Sequence, residues 1–141
     1  MILTRTTKEF YKNILIVSLI FIIDRISKLY VMNLSKLNSD IEIFSSSFLN
    51  IILIWNKGAA FGLFSFNESD LYNIFSGFIL LVIIIVLILV FKSKGIKRLS
   101  YLLVFGGAIG NFYDRIIYKA VPDFIDFHVG NFHWFVFNVA D

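Results

Sequence analysis

Residues 71–91 read LYNIFSGFILLVIIIVLILVF, an apolar run without a single charged side chain. At a helical rise of about 1.5 Å per residue, about 20 apolar residues cross a hydrocarbon core of about 30 Å. The stretch predicts a transmembrane helix, and the rest of the chain is read outward from it. Directly behind it lies KSKGIKR, residues 92–98, with four basic residues. Lysine and arginine gather on the cytoplasmic side of membrane spans, so this loop reads as cytoplasmic. The N-terminal arm, with Arg5, Lys8 and Lys12 ahead of the apolar run 14–23, reads the same way.

Composition agrees with a lipid environment. Of 141 residues, 58% are hydrophobic and only 16% charged. A soluble domain carries about 45–50% apolar and about 25% charged residues, and a chain this short has too little interior to hide the surplus. A net charge of +3, with the basic residues scattered, gives no reason to expect a nucleic-acid partner. The absence of cysteine removes a disulfide framework, a thiolate metal site and a cysteine nucleophile together.

Three more apolar segments surround the central run. The first, about residues 13–34, is interrupted by DRISK (24–28) before LYVMNL resumes. No small-residue cleavage site follows it, so it reads as a retained span and not as a cleaved signal peptide. The next begins near residue 99 and runs through YLLVFGGAIGNFYDRIIYKAV. The last, FHWFVFNVAD (132–141), is about half the length a span needs. With both basic stretches inside, residues 35–70 and 120–131 fall outside. Within the first of these regions SFLNIILIW is apolar, β-branched and of strand length. The expected fold is a mainly α polytopic membrane protein. It is a four-helix transmembrane bundle, its fourth helix truncated, with a small external β-cradle and with Phe61, Phe64 and Phe66 at the interface. One domain, 1–141, covers it, without linker or repeat.

Ionisable groups inside a span are costly and line cavities or pair with one another. Asp24, Arg25 and Lys28 lie inside the first span, and the four-residue spacing of Asp24 and Lys28 allows an ion pair. In the third span Gly106 and Gly110 form a GxxxG spacing that lets another helix approach closely. It is not a dinucleotide-binding GxGxxG loop, because the spacing is wrong and no strand precedes it. Asn111, Asp114 and Arg115 follow as polar lining. Asp123 comes just outside this span, and Asn138 and Asp141 are expected about two turns into the fourth. Three carboxylates, Asp114, Asp123 and Asp141, thus converge on one external rim. Two carboxylates that share a site titrate apart, which supplies a general base and a general acid for hydrolysis. Spacing alone leaves open a proton relay or a set of satisfied polar anchors. His128 and His133 with a nearby aspartate contain the elements of a metal site, but no H-E-x-x-H helix is present. They read, with Trp134, as rings at headgroup level, and no metal or cofactor is expected. Ser45, Ser46 and Ser47 have no base beside them and read as loop.

Taken together, DRISK, WNKGAAFG (55–62), GGAIGNFYDR (106–115), VPDFIDF (121–127) and FNVAD (137–141) resemble, in order, the motifs of signal peptidase II, the bacterial lipoprotein signal peptidase. The resemblance runs from Asp24 to Asp141. It implies a four-helix aspartyl endopeptidase of the bacterial inner membrane with a periplasmic β-cradle. The N-terminus is cytoplasmic and the active site lies at the periplasmic face. The implied substrates are prolipoproteins whose lipobox cysteine already carries diacylglycerol, cut just before that cysteine. The implied catalytic dyad is Asp123 and Asp141, with Asp24, Lys28, Asn56, Asn111, Asp114, Arg115 and Asn138 supporting the site or contacting substrate. The preference for Asp123 over Asp114 rests on the resemblance and not on spacing. Membrane lipids are the other expected partner, and the protein is expected to act as a monomer.

Members of that family continue past the second aspartate with a long apolar helix, whereas this chain ends on Asp141. The expectation is that a protein ending there has an incomplete fourth span, with an extra α-carboxylate beside the catalytic one, and is poorly active. Two other readings stand beside the peptidase. One is a small transporter or proton-relay subunit using Asp24, Lys28 and Asp114. The other is a truncated family member that binds lipidated substrates without cutting them.

Overall fold

The computed structural model describes residues 5–38, 42–58 and 69–141. In chain order the elements are α1 (Arg5–Asn38), β1 (Glu42–Ser45), β2 (Leu49–Asn56), α2 (Ser69–Lys92), α3 (Gly95–Tyr118), β3 (Val121–Val129) and β4 (Phe132–His133). Phe61, Phe64, Phe66 and the end of WNKGAAFG lie outside the described residues. The chain is mainly helical, with a small antiparallel sheet.

The opening run forms α2. Among the described residues one helix, Tyr72–Lys92, is both long and apolar enough to cross a membrane by length and composition. The other two helices are long as well, about 51 Å for α1 and about 36 Å for α3 at the usual rise. Buried charges interrupt their apolar character. On α1, Ile14, Leu15, Leu19, Ile22, Ile23 and Ile26 are all exposed, an apolar girdle of the kind that faces lipid.

Helix α3 packs against both α1 and α2. Its glycines set how closely other segments approach. A Cβ on Gly106 would stand 3.0 Å from Ile20, and one on Gly110 would stand 2.6 Å from the Asp24 carboxylate. The GxxxG spacing therefore works as expected, admitting α1. Gly107 does the same for a different segment, since its Cβ would collide with the backbone carbonyl of Ala140.

The third helix stops at Tyr118, three residues short of the expected end. Pro122 explains this, because proline cannot donate within a helix and biases the residue before it toward extended backbone. Lys119 takes the left-handed conformation (φ 57°) and donates its N–H to the Arg115 carbonyl, which closes the helix and turns the chain into β3.

The sheet has the order β1-β2-β3-β4, all antiparallel. Asp126 lies opposite Asn50 and Asp123 opposite Ile54. Between these pairs a bulge on β2 shifts the register. Pro122 pairs only with β2 and leaves no ladder position empty on its other side.

The largest departure from expectation is residues 132–141, which are not helical. Gly130, with φ 58°, and Asn131 form a two-residue turn that sends the chain back along β3. The Trp134 N–H donates to the Phe127 carbonyl, and Phe137 exchanges hydrogen bonds with Ile125. A short aromatic and β-branched run suits a strand as well as a helix, and here the turn decides. Asn138 and Asp141 consequently sit in a turn against α3, not two turns into a span.

Candidate active site

Four charged side chains join α1 to α3. Asp24, Lys28 and Asp114 are fully buried. Lys28 Nζ lies 2.8 Å from Asp24 Oδ1, 2.7 Å from Asp114 Oδ2 and 2.8 Å from Asn111 Oδ1. The ammonium donates to Asn111 and Asp114, and Asp24 meets it as an ion pair. Arg25 closes the set, with Nη2 at 2.9 Å from Asp24 and Nη1 at 2.6 Å from Asp114. The Arg25 guanidinium also rests over the Tyr113 ring at 5.0 Å. Two cations thus meet two carboxylates, and the cluster is neutral. The i,i+4 pair was visible in sequence, but the participation of Arg25 was not, since it depends on how α1 is turned against α3.

Asn111 faces both ways. Its oxygen accepts from Lys28, and its Nδ2 donates to Asp141 Oδ1 at 2.8 Å. Arg115, one turn further along α3, points elsewhere. Its Nη1 and Nη2 donate to the carbonyls of Asn111 and Gly58, at 3.1 and 2.9 Å. Arg115 therefore holds the end of the β2 segment against α3.

Asp123, from β3, is buried at 3% exposure. Asn56 Nδ2 donates to its Oδ2 at 2.9 Å and Asn138 Nδ2 to its Oδ1 at 2.6 Å. Burial pushes the Asp123 carboxyl up to about 6, although the two amide hydrogen bonds and Lys28 pull it down and the charge on Asp141 adds to the rise. Asn56 is itself oriented by the Gly58 N–H, which donates to its oxygen at 2.9 Å.

Asn138 joins the two carboxylates. Its side chain holds Asp123 while its backbone N–H donates to Asp141 Oδ2 at 3.0 Å. Its side-chain oxygen accepts from the Ala140 N–H at 2.8 Å. The Asn138 oxygen thus forms an Asx-type turn with the residue two further on, while the Asp141 carboxylate reaches back to the Asn138 N–H. These bonds hold Asp141 beside Asp123 even though 18 residues separate them in sequence.

Asp141 is exposed and lies where two apolar hollows meet. One, of about 820 Å³, is walled by Phe48, Phe127, Phe132, Trp134, Phe135 and Phe137. The other, of about 320 Å³, lies along α1 and α3 between Ile20, Ile23, Leu103, Val104 and Val139. The structure thus divides the expected carboxylate trio. Asp123 and Asp141 share Asn138, whereas Asp114 is neutralised in the ion cluster and reaches Asp141 only by way of Lys28 and Asn111. Asn50 and Gly107, which also shape this region, were not singled out in sequence. The two-fold strand alternation could have found Asn50, but only the tertiary packing reveals Gly107.

Residues 16–141 match the family model for signal peptidase (SPase) II. The chain is 52% identical to a lipoprotein signal peptidase of Pelagibacter ubique (strain HTCC1062), covering 95% of this chain and 81% of that protein. To a lipoprotein signal peptidase of Anaplasma phagocytophilum (strain HZ) it is 41% identical, covering 91% and 81%. Two solved structures of a bacterial membrane enzyme, determined by the in meso method at 2.3 and 1.9 Å resolution, superpose with a TM-score of 0.67 at 29% identity. They cover 92% of this chain and 78% and 83% of theirs.

Proposed function

Since the chain belongs to the signal peptidase II family, whose members are membrane-embedded aspartic peptidases, we propose that Asp123 and Asp141 form the dyad with which it removes the signal peptide from diacylglyceryl-modified prolipoproteins. The observation that carries this reading is Asn138, which donates to both carboxylates at once. One shared residue, through its side-chain and backbone amides, holds the two acids in register for one water molecule and one peptide bond.

In the mechanism, the ionised carboxylate takes a proton from water as the water oxygen attacks the scissile carbonyl carbon. The protonated carboxyl donates to the carbonyl oxygen. Collapse of the tetrahedral intermediate breaks the C–N bond, and the proton held by the dyad passes to the leaving amine. Asp123 is suited to be the protonated partner, because it is the buried one. Asp141, exposed and held by Asn111 and the Asn138 N–H, is suited to be the base. The neutral ion cluster acts behind them by holding Asn111. Its closed set of pairs favours a structural role over an ion path.

The same geometry supports a reading of substrate and topology. The two apolar hollows meeting at Asp141 offer one wall for acyl chains and another for the apolar helix of the signal peptide. Glu9, Lys12, Lys94 and Arg98 line a cleft between the N-terminal ends of α1 and α3, remote from the sheet. By the positive-inside rule that end is cytoplasmic, and the dyad then lies at the periplasmic face of the inner membrane. The enzyme works as a monomer. Mass spectrometry of the products tests the reading. A substrate carrying the diacylglyceryl group should yield a product whose first residue is the modified cysteine, and the unmodified precursor should stay intact. Equal cleavage of both precursors would contradict it.

A further inference from the structure

We propose that Asp126, His128 and His133 form a binding site for a divalent transition-metal ion of the zinc class on the β3–β4 hairpin. The sequence reading set these histidines at the headgroup level without a ligand role, and the hairpin register changes that. A strand repeats every two residues, so Asp126 and His128 share one face of β3. The turn at Gly130 then brings His133 of β4 directly opposite His128. One ligating atom from each of the three residues lies within 4.8 Å of the others. The imidazole rings stack with centroids 4.8 Å apart, and His133 Nδ1 sits 3.1 and 2.9 Å from the two oxygens of Asp126.

A second observation points to a ligand. His128 Nδ1 is buried and has no hydrogen-bond partner among the described residues. Buried ring nitrogens are normally satisfied, and an ion coordinated by the cluster would draw the His128 ring into a satisfied role. The carboxylate is already held in place, because Asn50 Nδ2 donates to Asp126 Oδ2 at 3.1 Å and Ser45 Oγ to Asn50 Oδ1 at 2.8 Å. Carboxylate ligands braced by such outer hydrogen bonds are the rule in metal sites. Donors at about 2.0–2.1 Å from one tetrahedral ion stand about 3.3 Å apart, so their spread of up to 4.8 Å must close by about 1.5 Å. His133 can supply that movement, since its side chain is 51% exposed.

The donor set selects the ion. Two imidazoles and one carboxylate suit zinc and its neighbours in the first transition row, while magnesium and calcium take all-oxygen sets. Three protein ligands leave a fourth position for water. Binding through His133 Nδ1 takes the tautomer whose hydrogen sits on Nε2, so the ion replaces the contact between His133 and Asp126. His128 and His133 are also the chain's only histidines, and it has no cysteine. Every imidazole of the protein is therefore in this cluster. A bound ion would tie β3 to β4 and stiffen the wall of the aromatic hollow formed by Phe127, Val129, Phe132 and Trp134. The inference does not depend on the peptidase assignment.

The test is titration of the whole protein in detergent, without a histidine tag, with Zn²⁺ against a chromophoric chelator. The wild type should take up one ion per chain. The variants His133→Ala and His128→Ala should lose that competition, and Asn50→Ala should bind roughly tenfold more weakly, as removal of an outer-shell partner does. Mg²⁺ in excess should not displace the ion. His133 is a surface residue, so His133→Ala tests the site without disturbing the fold. A wild type that fails to compete with the chelator, or a His133→Ala variant that holds Zn²⁺ as tightly as wild type, would overturn the proposal.

Discussion

Burial pushes the Asp123 carboxyl up to about 6, while Asn138 and Asn56 donate to it and pull it down. If Asp123 supplies the proton, cleavage should be fast below this value and fall as pH rises through about 6, as read from a pH profile of the initial rate. Asn56→Ala removes one donor to the carboxylate. A hydrogen bond to a charged group is worth about 1.5 kcal/mol, so the alkaline limb should move up by roughly one pH unit. A limb that stays in place would detach Asn56 from the dyad. Lys28 provides a second test at this scale. It is fully buried between Asp24 and Asp114. Lys28→Met leaves Arg25 alone against two carboxylates, and losing one partner of a buried pair costs about 3–5 kcal/mol. The detergent-solubilised variant should melt well below wild type, and adding Asp24→Asn should recover part of the loss.

Among the elements, α3 organises the site because its glycines admit both α1 and the segment carrying Asp141. Gly107→Ala drives a methyl group into the Ala140 carbonyl, so it should cut the rate sharply while the helices remain formed by circular dichroism. Gly77 of α2 has open space around it, and Gly77→Ala should be neutral or add up to about 1 kcal/mol of helix stability. How far the elements could be read in sequence follows from their physics. The uncharged run of α2 has one plausible meaning, and β2 announces itself through Ile51, Ile52 and Ile54. Residues 132–139 are ambiguous because a short apolar run suits a helix or a strand, and the turn at Gly130 and Asn131 carries the missing signal. The Asp24–Lys28 pair could be seen from helical spacing. That Asp123 and Asp141 share Asn138, with Asp114 set apart from them, could not, because it depends on Phe137 pairing with Ile125 and on the turn at Asn138.

At the scale of the whole molecule, charge and chemistry lie at opposite ends. Arg98 bonds to Glu9 at 3.3 Å beside the basic loop, and the sheet caps the far end of α3. The chain has no cysteine, so single cysteines report sidedness cleanly. Lys94→Cys should react with a membrane-impermeant maleimide only after the cytoplasmic face is opened. Val129→Cys, at a position 80% exposed, should react from the periplasm in intact spheroplasts, and the reverse pattern would invert the topology. The dyad itself is tested most directly by cleavage of a diacylglyceryl-modified prolipoprotein in proteoliposomes. Wild type is compared with Asp123→Asn, Asp141→Asn and, as a carboxylate outside the dyad, Asp126→Asn. The account predicts no detectable cleavage by the first two variants, with insertion intact, and continued cleavage by Asp126→Asn. Cleavage by Asp123→Asn at the wild-type rate would contradict it and shift the chemistry toward Asp114.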